Sequence, residues 1–204
     1  MKNIISIAIL VLSVSFFSAC DDDWNECYRG NGILGELEVN IDHFETLEIN
    51  SSIDVELVAD TVNMAIISGD DNIIDLVNTR VIGNRLTVDY RHDINCVRTS
   101  HKTVIELHYT NLKEILIDGS GDVYGIDTLF SDRLDVKING SGNVSLIAKV
   151  ENLFVEVDGS GDVAIDGKGA IGYVLIDGSG NVDMLDFEIE SLGIEVSGSG
   201  STRA

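Results

Sequence analysis

The chain of 204 residues carries 35 Asp and Glu against 13 Lys and Arg, a formal charge of -22 at pH 7. Such a surface repels phosphate backbones and anionic headgroups, so nucleic acid is excluded as a partner. Hydrophobic residues at 44% against 24% charged rule out a disordered acidic tail, and the length fits one domain built around one core. Twenty Gly, no Pro and few aromatics describe a chain that turns on Gly, Asn and Asp and fills its core with Val, Ile and Leu.

Residues 1–19 read as a signal peptide that is removed: Lys2 supplies the cation, Ile4 to Phe17 the apolar run, and Ala19 the small residue before Cys20. As a helix that run spans about 21 Å, short of the roughly 30 Å hydrocarbon core, so an export signal fits better than a membrane span. Phe17-Ser18-Ala19-Cys20 resembles a bacterial lipobox, in which the Cys is acylated and becomes the mature N-terminus. Residues 20–32 then form a lipidated tether, and acyl chains make the membrane contact of an outer-membrane lipoprotein of the cell envelope. Asp21, Asp22 and Asp23 resemble the surface-export signal of some Gram-negative phyla; the plainer alternative is a solvated charge run.

Cys27 and Cys96 remain, and outside the cytoplasm two leftover cysteines usually pair. A bridge would close a loop of about 70 residues and contribute about 4 kcal/mol. His43, His92, His101 and His108 are scattered, with no CxxC and no HxxxH, so each reads as a strand or loop residue.

Between 33 and 110 the chain reads as short strands at Leu34 to Asn40, Thr46 to Ile49, Asp54 to Val58, Met64 to Ile67, Thr79 to Ile82, Leu86 to Tyr90 and Val104 to Tyr109. Asp71 to Val77 is the one plausible helical turn, and Asn50 to Asp54 stands where a Gly-Ser-Gly corner would. From 111 to 204 the corner itself recurs. Its first Gly falls at 119, 140, 159, 178 and 198, intervals of 21, 19, 19 and 20. Two residues before it come Ile117, Ile138, Val157, Ile176 and Val196, and four after it Val123, Val144, Val163 and Val182. One such unit cannot bury its apolar face alone, whereas units stacked about 4.8 Å apart with like residues above like can. The expectation is an all-β parallel β-helix of about 20-residue coils in a single domain at 33–204, degenerate over 33–110 and regular over 111–204.

Polar residues flank each corner: Asp118, Asn139, Asp158, Asp177 and Ser197 before, Asp122, Asn143, Asp162, Asn181 and Ser201 after. Asp and Asn suit turns and bond nearby backbone, and Gly supplies positive φ, so these columns require no cofactor. The competing reading places calcium on Asp118, Asp122, Asp158, Asp162 and Asp177, because stacked carboxylates repel and a hard cation would relieve this. No catalytic residues stand out. Gly-Ser-Gly is neither a nucleophile elbow nor a phosphate loop, and a catalytic serine does not come in five copies.

Several motifs together carry a resemblance: Gly30-Asn31-Gly32, INSSIDVEL, DNIIDLVNTRVIGNRLTV, NLKEILIDGSGDV, and then GSGD and GSGN corners at twenty-residue steps. Over residues 30–204 the sequence resembles the bacterial putative auto-transporter adhesin family with the head GIN domain. The resemblance implies a right-handed β-helix in an exported, often lipidated protein, with no catalytic residues to carry over. It departs from the family pattern at the fifth corner, where further strands and a cap are expected, so self-association through an open solenoid end joins the expected contacts. The reading is a lipid-anchored, non-catalytic surface protein of adhesin type that binds a glycan or a surface protein. The alternative is a polysaccharide-active β-helix enzyme, a glycoside hydrolase or lyase, using an acidic surface groove.

Overall fold

Alternating β-branched and polar residues give strands through most of the chain. The computed structural model describes residues 27–94 and 96–204; the signal peptide, Cys20 and Asp21 to Asp23 lie outside the described residues. In chain order the strands are β1 (Tyr28–Arg29), β2 (Leu34–Asn40), β3 (Thr46–Ile49), β4 (Asp54–Ala59), β5 (Met64–Asp70), β6 (Val77–Ile82), β7 (Arg85–Tyr90) and β8 (Val97–Arg98). They continue as β9 (Val104–Tyr109), β10 (Glu114–Ile117), β11 (Val123–Ile138), β12 (Val144–Val157), β13 (Val163–Ile176), β14 (Val182–Asp183), β15 (Phe187–Val196) and β16 (Thr202–Arg203). One helical turn, α1 (Asp71–Ile74), interrupts them within DNIIDLV. β1 pairs with β8, and the other fourteen strands form one sheet that curls as an open half-barrel.

From residue 111 onward each repeat pairs in parallel with the next. Ile117 lies beside Ile138, then Val157, Ile176 and Val196 follow in register. The steps between them are 21, 19, 19 and 20 residues, the same as between the corner glycines. Ile117, Ile138, Val157 and Ile176 are wholly buried, each contributing about 2 kcal/mol, while Val196 on the last long strand is 43% exposed. Pairing continues well beyond the corners. β12 and β13 each run 14 residues and β11 runs 16, so 131–133 and 148–152 lie within strands.

The corners correct one expectation. Among the described residues positive φ occurs at Gly32, Gly69, Gly83 and Gly167, none of which belongs to a Gly-Ser-Gly corner. Corner glycines answer to what lies against them instead. A Cβ on Gly161 would fall 1.9 Å from the carbonyl oxygen of Gly142, and one on Gly140 would fall 2.0 Å from that of Gly119. Without side chains the corners close to hydrogen-bonding distance: the Ser141 N–H donates to Gly119 O and the Ser160 N–H to Gly140 O, both at 3.0 Å.

Residues 33–110 follow the coil pattern only in part. β3 pairs in parallel with β10 on one side and β7 on the other, and β4 likewise with β11 and β9. The segment 46–59 therefore lies between the first regular repeat and 85–109, reversing the order of the chain. Asn50 to Asp54 does act as a corner, since the N–H groups of Ser120 and Gly121 both donate to Ser51 O at 3.0 Å. By contrast, β2 with β5, β5 with β9, and β6 with β7 pair antiparallel and are not parallel coils. The two-residue hairpin at Gly83-Asn84, with Gly83 at φ 65°, turns the chain back on itself where a coil would have continued.

A separate set of contacts ties the start of the described chain to this end. Cys27 and Cys96 are joined in a disulfide, and beyond it the Tyr28 N–H donates to Cys96 O and the Gly30 N–H to Arg98 O. Asp70, wholly buried, accepts the backbone N–H groups of Gly32, Ser100 and His101 at 2.9, 2.7 and 3.1 Å. Burial opposes its charge, yet the three donors together hold its carboxyl below the ordinary range. A Cβ on Gly30 would fall 1.9 Å from Asp70 Oδ2, and Asn31 Nδ2 donates to Asp71 Oδ1. Gly30-Asn31-Gly32 is thus a clamp on the segment 69–72.

Candidate functional site

Two outward features of the repeats combine position with chemistry: the polar columns at the corners and a groove over the long strands. In the column after the corners, alternation of Asp and Asn builds a directed ladder. The Asn143 backbone N–H and Nδ2 both donate to Asp122 Oδ1, at 2.8 and 2.9 Å. The Asp162 N–H donates to Asn143 Oδ1 at 2.9 Å, Asn181 repeats the double contact on Asp162, and the Ser201 N–H and hydroxyl end the series on Asn181 Oδ1. At the other end, the Asp122 N–H donates to Asp54 Oδ1, and Lys102 forms an ion pair with Asp54. Each side chain thus satisfies a backbone N–H of the neighbouring corner. Burial works against the Asp122 charge, but the two Asn143 donors, the Tyr124 hydroxyl and Lys102 bring its carboxyl below the ordinary range.

The five residues considered for calcium do not converge. Asp118, Asp158 and Asp177 belong to the column before the corners, where Asn139 Nδ2 donates to Asp118 Oδ1 at 2.6 Å. Asp122 and Asp162 belong to the other column, separated by Asn143, with one oxygen of each given to amide donors. Among the described residues no group of three or more His, Cys, Asp or Glu is placed to hold a metal ion. His101 contacts Gly32 O, and His108 lies between Asp60 and Glu106, so neither joins a ligand set.

The groove occupies the middle of the long strands and encloses about 730 Å³. Its two edges follow from register. Phe130 pairs with Lys149 and Lys149 with Lys168, forming one outward row. Two residues further along each strand stand Asp132, Glu151 and, past the small Ala170, Glu190. The intervening row reads Ser131, Val150 and Gly169, turned toward the core or too small to fill the groove. Phe130 is 66% exposed, and Lys149 Nζ sits 5.4 Å from the centre of its ring. Lys113, at one end, is already bound to Glu45 at 2.7 Å. Lys149 and Lys168 form no ion pair among the described residues.

Sequence reading follows the corners and the apolar columns beside them, and does not single out this row. The signal was present: Phe130, Lys149 and Lys168 are spaced by 19 and 19, the period of the neighbouring corners. On the adjacent part of the same strands Phe154 and Tyr173 stack with ring centres 6.0 Å apart, and the Tyr173 hydroxyl donates to Glu195 at 2.8 Å.

Solved structures share this fold. A putative adhesin from Bacteroides fragilis superposes with a TM-score of 0.66 at 20% identity, covering 85% of this chain and 98% of its own. One from Parabacteroides distasonis gives 0.65 at 18% identity, covering 86% and 83%. A protein from Parabacteroides distasonis described as a putative lipid binding protein gives 0.52 at 21% identity, covering 86% and 99%. No curated protein matches the sequence. Residues 43–204 match the family described as "Putative auto-transporter adhesin, head GIN domain", and the chain belongs to that family.

Proposed function

We propose that the protein is exported, anchored through acyl chains on Cys20, and acts at the cell surface as a non-catalytic binding protein of adhesin type. The observation that carries this reading is the outward face of the repeats, where side chains stand in columns along parallel paired strands. Such a face suits weak contacts made many times over. Membership of an adhesin family points the same way. In this reading 111–204 wind as coils of a right-handed parallel solenoid, which register steps of 19 to 21 residues and the corner-to-corner hydrogen bonds support.

The start of the described chain lies at the end of the sheet away from β16. The disulfide and the β1–β8 pair hold the tether against the segment that follows β7, while β16 lies at the opposite end of the sheet order. A lipid on Cys20 would leave the repeats extending from the membrane. The test has two parts. Cys20→Ala should abolish incorporation of labelled fatty acid and release the protein from membranes; retained label sinks the anchor. Cells or beads carrying the wild-type chain should attach to host or bacterial surfaces without cleaving polysaccharides. Saturable glycan cleavage, lost when a single groove carboxylate is changed to its amide, would replace the binding protein with an enzyme.

A further inference from the structure

We infer that the groove over the long strands is the site of an acidic glycan, held by Lys149 and Lys168 through an anionic group on the sugar. The inference rests on the binding-protein reading and names the ligand class. Its starting point is charge: residues 111–204 hold six Lys and Arg, and four of them are engaged by carboxylates. The two that are not so engaged, Lys149 and Lys168, are direct neighbours on adjacent strands. Like charges set side by side about 4.8 Å apart destabilise a sheet, and in so acidic a chain a carboxylate could have relieved them. Glu188 stands in register with Lys168 yet forms no ion pair with it. An anion between the two ammonium groups completes the arrangement.

The rest of the groove narrows the anion to one carried on a sugar. Phe130 offers an exposed ring at the head of the lysine row, a flat apolar surface for a pyranose face. Across the groove Asp132, Glu151 and Glu190 are hydrogen-bond acceptors, which suit sugar hydroxyls and reject a second anion. A free phosphate or carboxylate would use the lysines alone; a sugar ring bearing one anionic group uses all three surfaces.

Titration calorimetry on the full chain in detergent micelles tests this with three probes, none carrying more than one anionic group: methyl galacturonide, its methyl ester, and methyl galactoside 6-sulfate. The acidic probes should bind and the ester should not, with uronate or sulfate preference identifying which anion the lysines take. Lys149→Gln and Lys168→Gln should each weaken binding about tenfold, as loss of one charge-assisted hydrogen bond does. Lys137→Gln, whose ammonium is already paired with Glu114, should leave binding unchanged. Equal binding of the ester, or full binding by the double Lys149→Gln, Lys168→Gln variant, overturns the inference. If no probe binds while cells carrying the protein still attach, the groove assignment falls and the adhesin reading stands. If attachment is absent as well, both fall.

Discussion

Residues 46–109 and 111–204 build the same apolar columns by different means. In the repeats, Ile138, Val157 and Ile176 occupy equivalent places because the sequence recurs. In the first half Val88 and Ile49 continue that column below Ile117, and Ile105 and Val55 continue the one below Val123, although neither segment carries a Gly-Ser-Gly corner. The corner at Asn50 to Asp54 shows why glycine is dispensable there. Each corner glycine in the repeats makes room for the corner of the segment before it, and the strands beside 46–59 on the far side are those of 85–109. There a longer stretch of chain between β7 and β9 stands in place of a corner, and a cleft of about 360 Å³ is lined by Asn50, Ser51, Ser52, Ile94, Cys96 and Val97. Ser51 lines that cleft and its hydroxyl reaches Val88 O, so a side chain fits there. At the repeat corners glycine reports a close neighbour, not a backbone angle.

The sharpest way to break that contrast is to fill a corner. Gly161→Val drives a side chain into Gly142 O and should destabilise by about 3–5 kcal/mol in urea unfolding, in the range of severe packing defects. Ala164→Val, on the exposed face of the same repeat, should stay within about 0.5 kcal/mol. Gly32→Ala should cost about 1 kcal/mol, since Gly32 is at φ 75° with open space around it and only the backbone objects. Equal midpoints for the first two variants would show that contact between corners does not decide stability.

The next largest effect separates the halves. Cys27→Ser with Cys96→Ser should cost about 4 kcal/mol from loop closure. The loss should be local: hydrogen exchange ought to quicken in β1, β8 and the Ser100 and His101 amides that Asp70 accepts, and stay slow in β12 and β13. Uniform loosening across both halves would mean that the repeats depend on the clamp for their order.

What could be read from sequence divides along the same line. Strand positions were legible in both halves, because alternation is a local signal: β2, β3 and β7 fall where Val, Leu and Ile alternate with polar residues. Parallel stacking was legible only where the sequence repeats, since recurrence of Val144, Val163 and Val182 reports a long-range register directly. Nothing comparable marks β5 as antiparallel to both β2 and β9, because the side chains of a strand alternate alike in either direction. Among site residues, the Asp and Asn columns were visible but their role was not. Whether Asn143 separates two carboxylates or joins them depends on where its amide points, and it points at Asp122 while its own oxygen takes the Asp162 N–H.

That ladder gives a third, smaller prediction. Asn143→Asp removes the amide donor and places a third carboxylate between Asp122 and Asp162, and should cost about 1 kcal/mol at pH 7 because the site is exposed and screened. The loss should shrink as pH falls through the carboxylate range and the added charge is neutralised. Chelator should change the melting temperature of neither protein. A drop in the wild type on adding chelator, removed by Asp158→Asn with Asp162→Asn, would put calcium back on these columns.

The smallest effect sharpens the comparison through pH, because the four histidines lie between 43 and 108 and the repeats from 111 contain none. His108 on β9 has Nδ1 2.8 Å from Asp60 and Nε2 2.9 Å from Glu106. Burial opposes protonation, but the two carboxylates together outweigh it and raise the imidazole above its ordinary value of 6.5. Asp60 moves the other way, held below 3.8 first by the Thr61 N–H and then by His108. A raised histidine stabilises the fold fully below 6.5 and loses that contribution as pH rises through its folded value. A lowered carboxylate stabilises it above 3.8 and loses that contribution as pH falls through its own. Both are present together between these limits, so the wild type should lose a small part of its stability from pH 6 to pH 8, and His108→Gln should flatten that slope. The change should appear in β5 and β9, where Met64 pairs with His108, and not in β12 and β13. If proton NMR finds His108 titrating below 6.5, or the slope survives His108→Gln, the neutral-pH response belongs to another group and the two halves do not differ in this respect.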